Sequence, residues 1–152
     1  MKIASWNVNS LKVRLPQVLD WINLNQPDVL CLQETKQNND NFPHDLFEQQ
    51  GLFSYHNGQN TYNGVAIISN KELIDVQFDI PNFYDEQKRL ISGIYPNDED
   101  PKFRVISAYI PNGQSLNSDK FEYKMNWLKS FINSLQKKID GVENIITGDF
   151  NI

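Results

Sequence analysis

The residues whose types and spacing most clearly suggest metal binding or catalysis are Asp149 and Asn151, which follow the apolar segment 142–146. We expect that segment to be a buried strand. Residues two apart in extended backbone project from the same face, so the carboxylate and the carboxamide should point to one place. Carboxylate oxygens are ligands that Mg²⁺ and Mn²⁺ favour, and an aspartate beside an activated water can accept its proton. The carboxamide of Asn151 could orient that water or an anionic substrate.

Two earlier predicted strands also end in polar residues. Asn7 lies at the end of the first alternating segment, and Glu34 follows the short apolar segment 29–32. Ligands in open α/β structures gather at the carboxyl ends of strands. The sequence therefore predicts one metal-assisted site that Asn7, Glu34 and the pair Asp149 and Asn151 build together.

Hydrophobic periodicity predicts the elements that position these residues. A strand over 2–8, a helix from a Ser10 cap to about Leu24 and a strand over 29–32 form a βαβ unit. A long helix starts at Ser118 or Asp119, its aromatic stripe is assigned to the core, and Gly141 stops it. Further strands are predicted over 52–55, 65–69, 73–80, 89–95 and 103–110, the last two antiparallel, with a short helix near 43–50.

The composition is that of one folded domain. The chain has 152 residues, 39% of them hydrophobic, and no apolar run reaches transmembrane length. A net charge of −5 argues mildly against a protein that binds polyanions regardless of sequence. The single cysteine, Cys31, is interpreted as a small buried side chain in a reducing compartment, which favours a cytoplasmic location.

Other polar residues are weaker candidates for substrate contacts. Tyr109 ends a strand just before a Pro-Asn-Gly turn, and its hydroxyl could donate to a phosphate oxygen, although an ordinary half-buried tyrosine fits equally. Asn112 in that turn and Lys120 on the last helix are further candidates. Lys88 and Arg89, which enter a strand, are interpreted as part of a surface loop.

Five segments, in this order and spacing, resemble exonuclease III of the endonuclease/exonuclease/phosphatase superfamily. The resemblance implies a four-layer α/β sandwich and a Mg²⁺-dependent DNA repair phosphodiesterase. Such enzymes act on double-stranded DNA, cleaving beside abasic sites and removing nucleotides or blocking groups from 3′ ends. The segments are 5–10, 27–36, 62–67, 109–113 and 148–151.

The resemblance also implies roles for individual residues. Asn7 and Glu34 correspond to metal-site residues, and Asp149 corresponds to the residue that activates the attacking water. Asn151 supports Asp149, and Tyr109 corresponds to the tyrosine near the scissile phosphate. Mg²⁺ is the expected ion, and Mn²⁺ is a possible substitute.

The family pattern continues beyond what this sequence holds. Its second half supplies another aspartate and a Ser-Asp-His motif, and the only histidines here, His44 and His56, match neither. We therefore expect residues 1–152 to be the N-terminal portion of a single nuclease domain, roughly half of the sandwich, and inactive alone. The full-length enzyme is expected to be a monomer.

Two alternatives remain open at this point. The same polar set could serve a superfamily phosphodiesterase that acts on phospholipid or inositol phosphate. The missing histidine favours a different class, a catalytically dead DNA-binding module.

Overall fold

Two four-stranded β-sheets face each other, and each carries a long helix on its outer surface. The computed structural model describes residues 1–152. The strands are β1 (Ile3–Asn7), β2 (Val29–Gln33), β3 (Phe53–Asn57), β4 (Val65–Ser69), β5 (Ile74–Phe78), β6 (Leu90–Tyr95), β7 (Lys102–Tyr109) and β8 (Val142–Asp149). The helices are α1 (Leu11–Asn25), α2 (His44–Glu48) and α3 (Asp119–Leu135), with a 3₁₀ turn at Asn39–Asn41.

The first sheet has the strand order β1-β2-β4-β3 and the second the order β5-β6-β7-β8. β1 and β2 are parallel and joined by α1, which confirms the predicted βαβ unit. β7 and β8 are also parallel, joined by α3, and β6 and β7 form the expected antiparallel pair. Parallel pairing puts the carboxyl ends of β1 and β2 at one edge, and those of β7 and β8 at one edge.

The side chains of β2 show how the layers form. Leu30 and Leu32 pack in the cluster that includes the buried side of α1. Val29 and Cys31 belong to the cluster between the sheets, where burial raises the pKa of the Cys31 thiol to about 12. On the far side, Trp127 of α3 packs against the outer face of the second sheet. The α/β class and its four-layer order of helix, sheet, sheet and helix are thus confirmed.

The start of α1 differs from the prediction. The side chain of Ser10 makes no capping hydrogen bond, and the φ angle of this residue is 90°. Instead, the backbone N–H groups of Ser10 and Leu11 donate to the carbonyl oxygens of Glu34 and Thr35, at 2.8 and 3.0 Å. The first turn of the helix is therefore fastened to the backbone that follows β2.

The C-terminal part of the chain differs most from the prediction. α3 ends at Leu135 and not at Gly141, and Ile139 pairs with Val142 in an isolated bridge. Ile132, one of the apolar residues of α3, is 54% exposed and lies outside the core. β8 is not a buried strand either, since it forms an edge of its sheet and several of its residues are exposed. None of the three helices is both long and apolar enough to cross a membrane.

Gly148 lets β8 lie close to β7. The residue has a φ of +147°, and a Cβ atom there would lie 1.9 Å from the carbonyl oxygen of Ala108, its partner in the register. Only glycine accommodates that approach without displacing a strand. The next register pair is Tyr109 with Asp149, so the close contact places these two residues side by side.

Candidate active site

Residues from both sheets meet at the side-chain amide of Asn7. Its Nδ2 donates to Oε2 of Glu34 at 2.6 Å and to Oδ2 of Asp149 at 2.7 Å. Two oxygens that share one amide nitrogen at hydrogen-bond distance lie within roughly 5 Å of each other. The predicted convergence of the ends of β1, β2 and β8 is therefore confirmed, although 142 residues separate Asn7 from Asp149 in the chain.

The backbone presents Glu34 in an unusual conformation. Its φ angle is 53°, in the left-handed region that glutamate seldom occupies. The neighbouring Thr35 holds it there: the N–H of Thr35 donates to the carbonyl of Gly64 at 3.1 Å. The Thr35 hydroxyl, fully buried, is 2.8 Å from Nε2 of His56. Strain of this kind persists where surrounding bonds over-determine it, and it is common in functional sites.

Asn151 holds the turn that follows Asp149. Its backbone N–H donates to Oδ1 of Asp149 at 3.1 Å, which leaves Oδ2 directed at Asn7. The side-chain Nδ2 of Asn151 donates to the carbonyl of Ile110 at 2.7 Å. The contacts of Asn151 thus orient the Asp149 carboxylate and anchor the chain after β8 to the end of β7.

Tyr109 lies between an anionic and a cationic neighbour. Burial raises the pKa of its phenol, and the charge of Glu34 raises it further, while Arg89 opposes that change. The guanidinium carbon of Arg89 is 4.7 Å from the centre of the tyrosine ring, and Nη1 donates to the Tyr109 carbonyl at 3.1 Å. A phenol with a raised pKa stays protonated at neutral pH and is available as a hydrogen-bond donor.

Arg89 lies in the loop just before β6, as expected, but its side chain contacts Tyr109 and is not a freely solvated cation. Its guanidinium also stands 5.9 Å from the ring of Tyr123 on α3, so it lies between two tyrosines. The two basic residues at the start of the strand were the only signal in the sequence. That signal does not tell a solvated cation from one stacked on an aromatic ring.

The two predicted substrate contacts outside the strand ends do not touch this cluster. Asn112 is exposed, and its Oδ1 accepts the backbone N–H of Gln114 at 2.9 Å. Lys120 is exposed on the first turn of α3 and forms no ion pair. The lysine of α3 that reaches the site is Lys124, one turn later, whose Nζ donates to the Asn151 carbonyl at 2.9 Å. The substrate roles of Asn112 and Lys120 remain predictions.

The donor chemistry of the cluster suits a hard divalent cation. Glu34 and Asp149 offer carboxylate oxygens a few ångströms apart, and no group of three or more His, Cys, Asp or Glu side chains forms a closed cage. Mg²⁺ fits such an open set, since it keeps several waters and binds through one or two carboxylates plus substrate phosphate. The nearest cation to Glu34 is Lys36, whose Nζ is 3.8 Å from Oε1.

Comparison with known proteins agrees with this geometry. Residues 4–152 match the Endonuclease/Exonuclease/phosphatase family. The chain belongs to this family. It is 34% identical to exodeoxyribonuclease III of Haemophilus influenzae, with all of this chain and 58% of that protein aligned. The predicted resemblance to exonuclease III is thereby confirmed.

Solved structures of the family have the same fold. An AP endonuclease from Archaeoglobus fulgidus superimposes with a TM-score of 0.91 at 37% identity. A 3′ phosphatase, NExo from Neisseria, bound to a product DNA hairpin, superimposes with a TM-score of 0.89 at 41% identity. This chain is covered completely in both comparisons and spans 58% of each of those chains.

Proposed function

We propose that the protein is a Mg²⁺-dependent phosphodiesterase of DNA repair that acts on double-stranded DNA at abasic sites and 3′ ends. The observation that carries the proposal is the pair of carboxylates from different sheets, Glu34 and Asp149, on the one amide of Asn7. The similarity to exodeoxyribonuclease III and to a relative bound to a DNA hairpin supports DNA as the substrate. Mn²⁺ is expected to replace Mg²⁺.

Each residue of the cluster has a role in this proposal. Glu34 and Asp149 would hold the ion, which neutralises phosphate charge and polarises the scissile bond when it is bound. Asp149 accepts the proton of the attacking water, because the N–H of Asn151 fixes the direction of its carboxylate. Tyr109, protonated and close to Glu34, donates a hydrogen bond to a phosphate oxygen.

Cations at the rim of the cluster supply the attraction for a phosphate backbone. Lys36 lies beside Glu34, Arg89 lies over Tyr109, and Lys124 contacts the backbone at Asn151. Local positive charge of this kind can bind DNA even though the whole chain carries a net charge of −5. The negative total charge therefore does not exclude a nucleic-acid substrate.

A cleavage assay tests the proposal. The protein is incubated with duplex oligonucleotides that carry an abasic site or a 3′ phosphate, with Mg²⁺ and with a chelator. Mg²⁺-dependent cleavage is expected from the complete nuclease domain, and Glu34→Gln should remove it there. Residues 1–152 alone, which lack the histidine of the family pattern, are expected to be inactive. The matched control is Glu143→Gln, which makes the same chemical change at an exposed position of β8.

Two results would contradict the proposal. Binding of the duplex without cleavage would favour a catalytically dead DNA-binding module. Hydrolysis of a phospholipid or an inositol phosphate, with the DNA left intact, would favour the other branch of the superfamily. The buried free thiol of Cys31 is consistent with a cytoplasmic location, which stays a prediction.

A further inference from the structure

A polar cluster joins the two sheets directly behind the candidate active site, with a buried centre and one exposed member, Ser5. It consists of Ser5 on β1, Gln33 on β2 and Ser107 on β7, and we call it the inter-sheet cluster. Nε2 of Gln33 donates to the hydroxyl oxygens of Ser5 and Ser107, both at 3.1 Å. The Ser107 hydroxyl donates in turn to the carbonyl of Leu32 at 3.1 Å. Gln33 is 1% exposed and Ser107 is completely buried.

Each member of the inter-sheet cluster stands just before an active-site residue on its own strand. Gln33 directly precedes Glu34. Ser107 is two residues before Tyr109, and because strands have a side-chain period of two, both project between the sheets. Ser5 bears the same relation to Asn7. Along the strands, Ser5 and Ser107 therefore lie about 7 Å before Asn7 and Tyr109, and Gln33 lies about 3 Å before Glu34, at a rise of about 3.3 Å per residue.

The site requires a defined position of one sheet relative to the other, which we call the offset, because each sheet supplies half of the site residues. Asn7 and Glu34 come from the first sheet, and Tyr109 and Asp149 come from the second. The 2.7 Å bond from Asn7 to Asp149 crosses that boundary. A relative shift of about 1 Å would take this bond beyond hydrogen-bond range.

Apolar packing alone does not set that offset. The contacts between the sheets are made by side chains such as Val29, Val65 and Val105, and hydrophobic attraction between them has no direction. Hydrogen bonds from a single buried amide to both sheets accept only a narrow range of positions. Burial of an amide among apolar neighbours is not itself favourable, so Gln33 contributes position more than stability.

We propose that Gln33 is a positioning residue that sets the offset between the two sheets through Ser5 and Ser107, and so aligns Asn7 and Glu34 with Asp149. That the aligned carboxylates bind a divalent cation rests on the proposed function. The alignment itself does not depend on it. The two parts are therefore tested by separate measurements.

The test variant is Gln33→Met, which keeps the length of the side chain and removes its hydrogen bonds. The matched control is Asn57→Leu. Asn57 is the other buried amide that links the sheets, and its Nδ2 donates to the carbonyl of Leu90 at 2.8 Å. Both Gln33 and Asn57 pair with Val65 of β4, from opposite sides, so the control lies at the same level but two strands away.

The first measurement needs no metal. The NMR resonances of the Asn7 side-chain amide, assigned by their loss in Asn7→Ala, report its bonds to both carboxylates. Gln33→Met should shift or broaden them, and Asn57→Leu should leave them in place. An unchanged Asn7 amide in Gln33→Met would overturn the proposal. If Gln33→Met does not fold, Ser107→Ala is used instead, because it removes only the hydrogen bond between Gln33 and the second sheet. It should also shift or broaden the Asn7 amide resonances, and unchanged resonances would overturn the proposal.

The second measurement is the affinity for Mn²⁺, followed by electron paramagnetic resonance. Gln33→Met should bind the ion roughly 10- to 100-fold more weakly, as is usual when a group that orients metal ligands is removed. Asn57→Leu should bind it as the native sequence does, even if it melts at a lower temperature. If both variants lose affinity for Mn²⁺ equally, Gln33 has only a general structural role and the proposal is overturned. Failure of the native protein to bind Mn²⁺ would refute the proposed metal site, while the amide resonances would still decide the role of Gln33.

Discussion

Gly148→Ala is expected to separate the two halves of the site without altering any functional group. The added Cβ would lie 1.9 Å from the carbonyl oxygen of Ala108, whereas real contacts of this kind stay above 3.0 Å. β8 must therefore move away from β7 by about 1 Å, or the backbone must distort by a similar amount. Because Asp149 is the next residue, its 2.7 Å bond to Asn7 lies in the part of the strand that moves.

The expected loss of stability is about 2–4 kcal/mol, the sum of overpacking and of an unfavourable φ for an L-residue. The affinity for Mn²⁺ should fall by about tenfold or more, since Asp149 no longer stands opposite Glu34. Urea unfolding measures the first quantity, and electron paramagnetic resonance of Mn²⁺ measures the second.

Gly51→Ala is the control for backbone strain alone. Gly51 has a φ of +74°, but no atom lies within 4 Å of its added Cβ. The Gly51→Ala variant should lose only about 1 kcal/mol of stability and keep the affinity of the native sequence for Mn²⁺. The reasoning is refuted if Gly148→Ala is no less stable than Gly51→Ala, or if it binds Mn²⁺ as the native sequence does.

Three further predictions concern single side chains. In the complete nuclease domain, Glu34→Gln should lower nuclease activity by orders of magnitude with little change in the urea midpoint, and wild-type turnover at limiting Mg²⁺ would contradict this. Burial, and then the charge of His44, lower the pKa of His56 from 6.5 to about 3, so the folded protein keeps this histidine neutral while the unfolded chain protonates it. Stability should be complete above pH 6.5 and fall toward pH 3 by at most about 1.4 kcal/mol per pH unit from this group, a slope that urea titrations of His56→Gln should lack. Arg89→Met removes the cation over the Tyr109 ring and should raise the pKa of that phenol further in an NMR titration, whereas Lys88→Met should not.

The sequence by itself determined the residues of the candidate site and the end of the molecule where they meet. Asn7, Glu34 and Asp149 follow apolar segments whose strand character is local. The helices between consecutive parallel strands then bring the strand ends to one edge. Side-chain alternation along β1 and β7 is also local, so the inward direction of Asn7 and Tyr109 needs no tertiary information.

Only the tertiary structure decided which neighbours those residues acquire. The contact of Arg89 with Tyr109 joins residues 20 positions apart. The hydrogen bonds of Gln33 to Ser5 and Ser107 span 28 and 74 positions. Hydrophobic periodicity does not specify such pairs. The position of β8 at the edge of its sheet was likewise not readable from its apolar residues. The sequence pattern of a segment shows which of its side chains could be buried. Whether another element covers those side chains depends on how the rest of the chain packs.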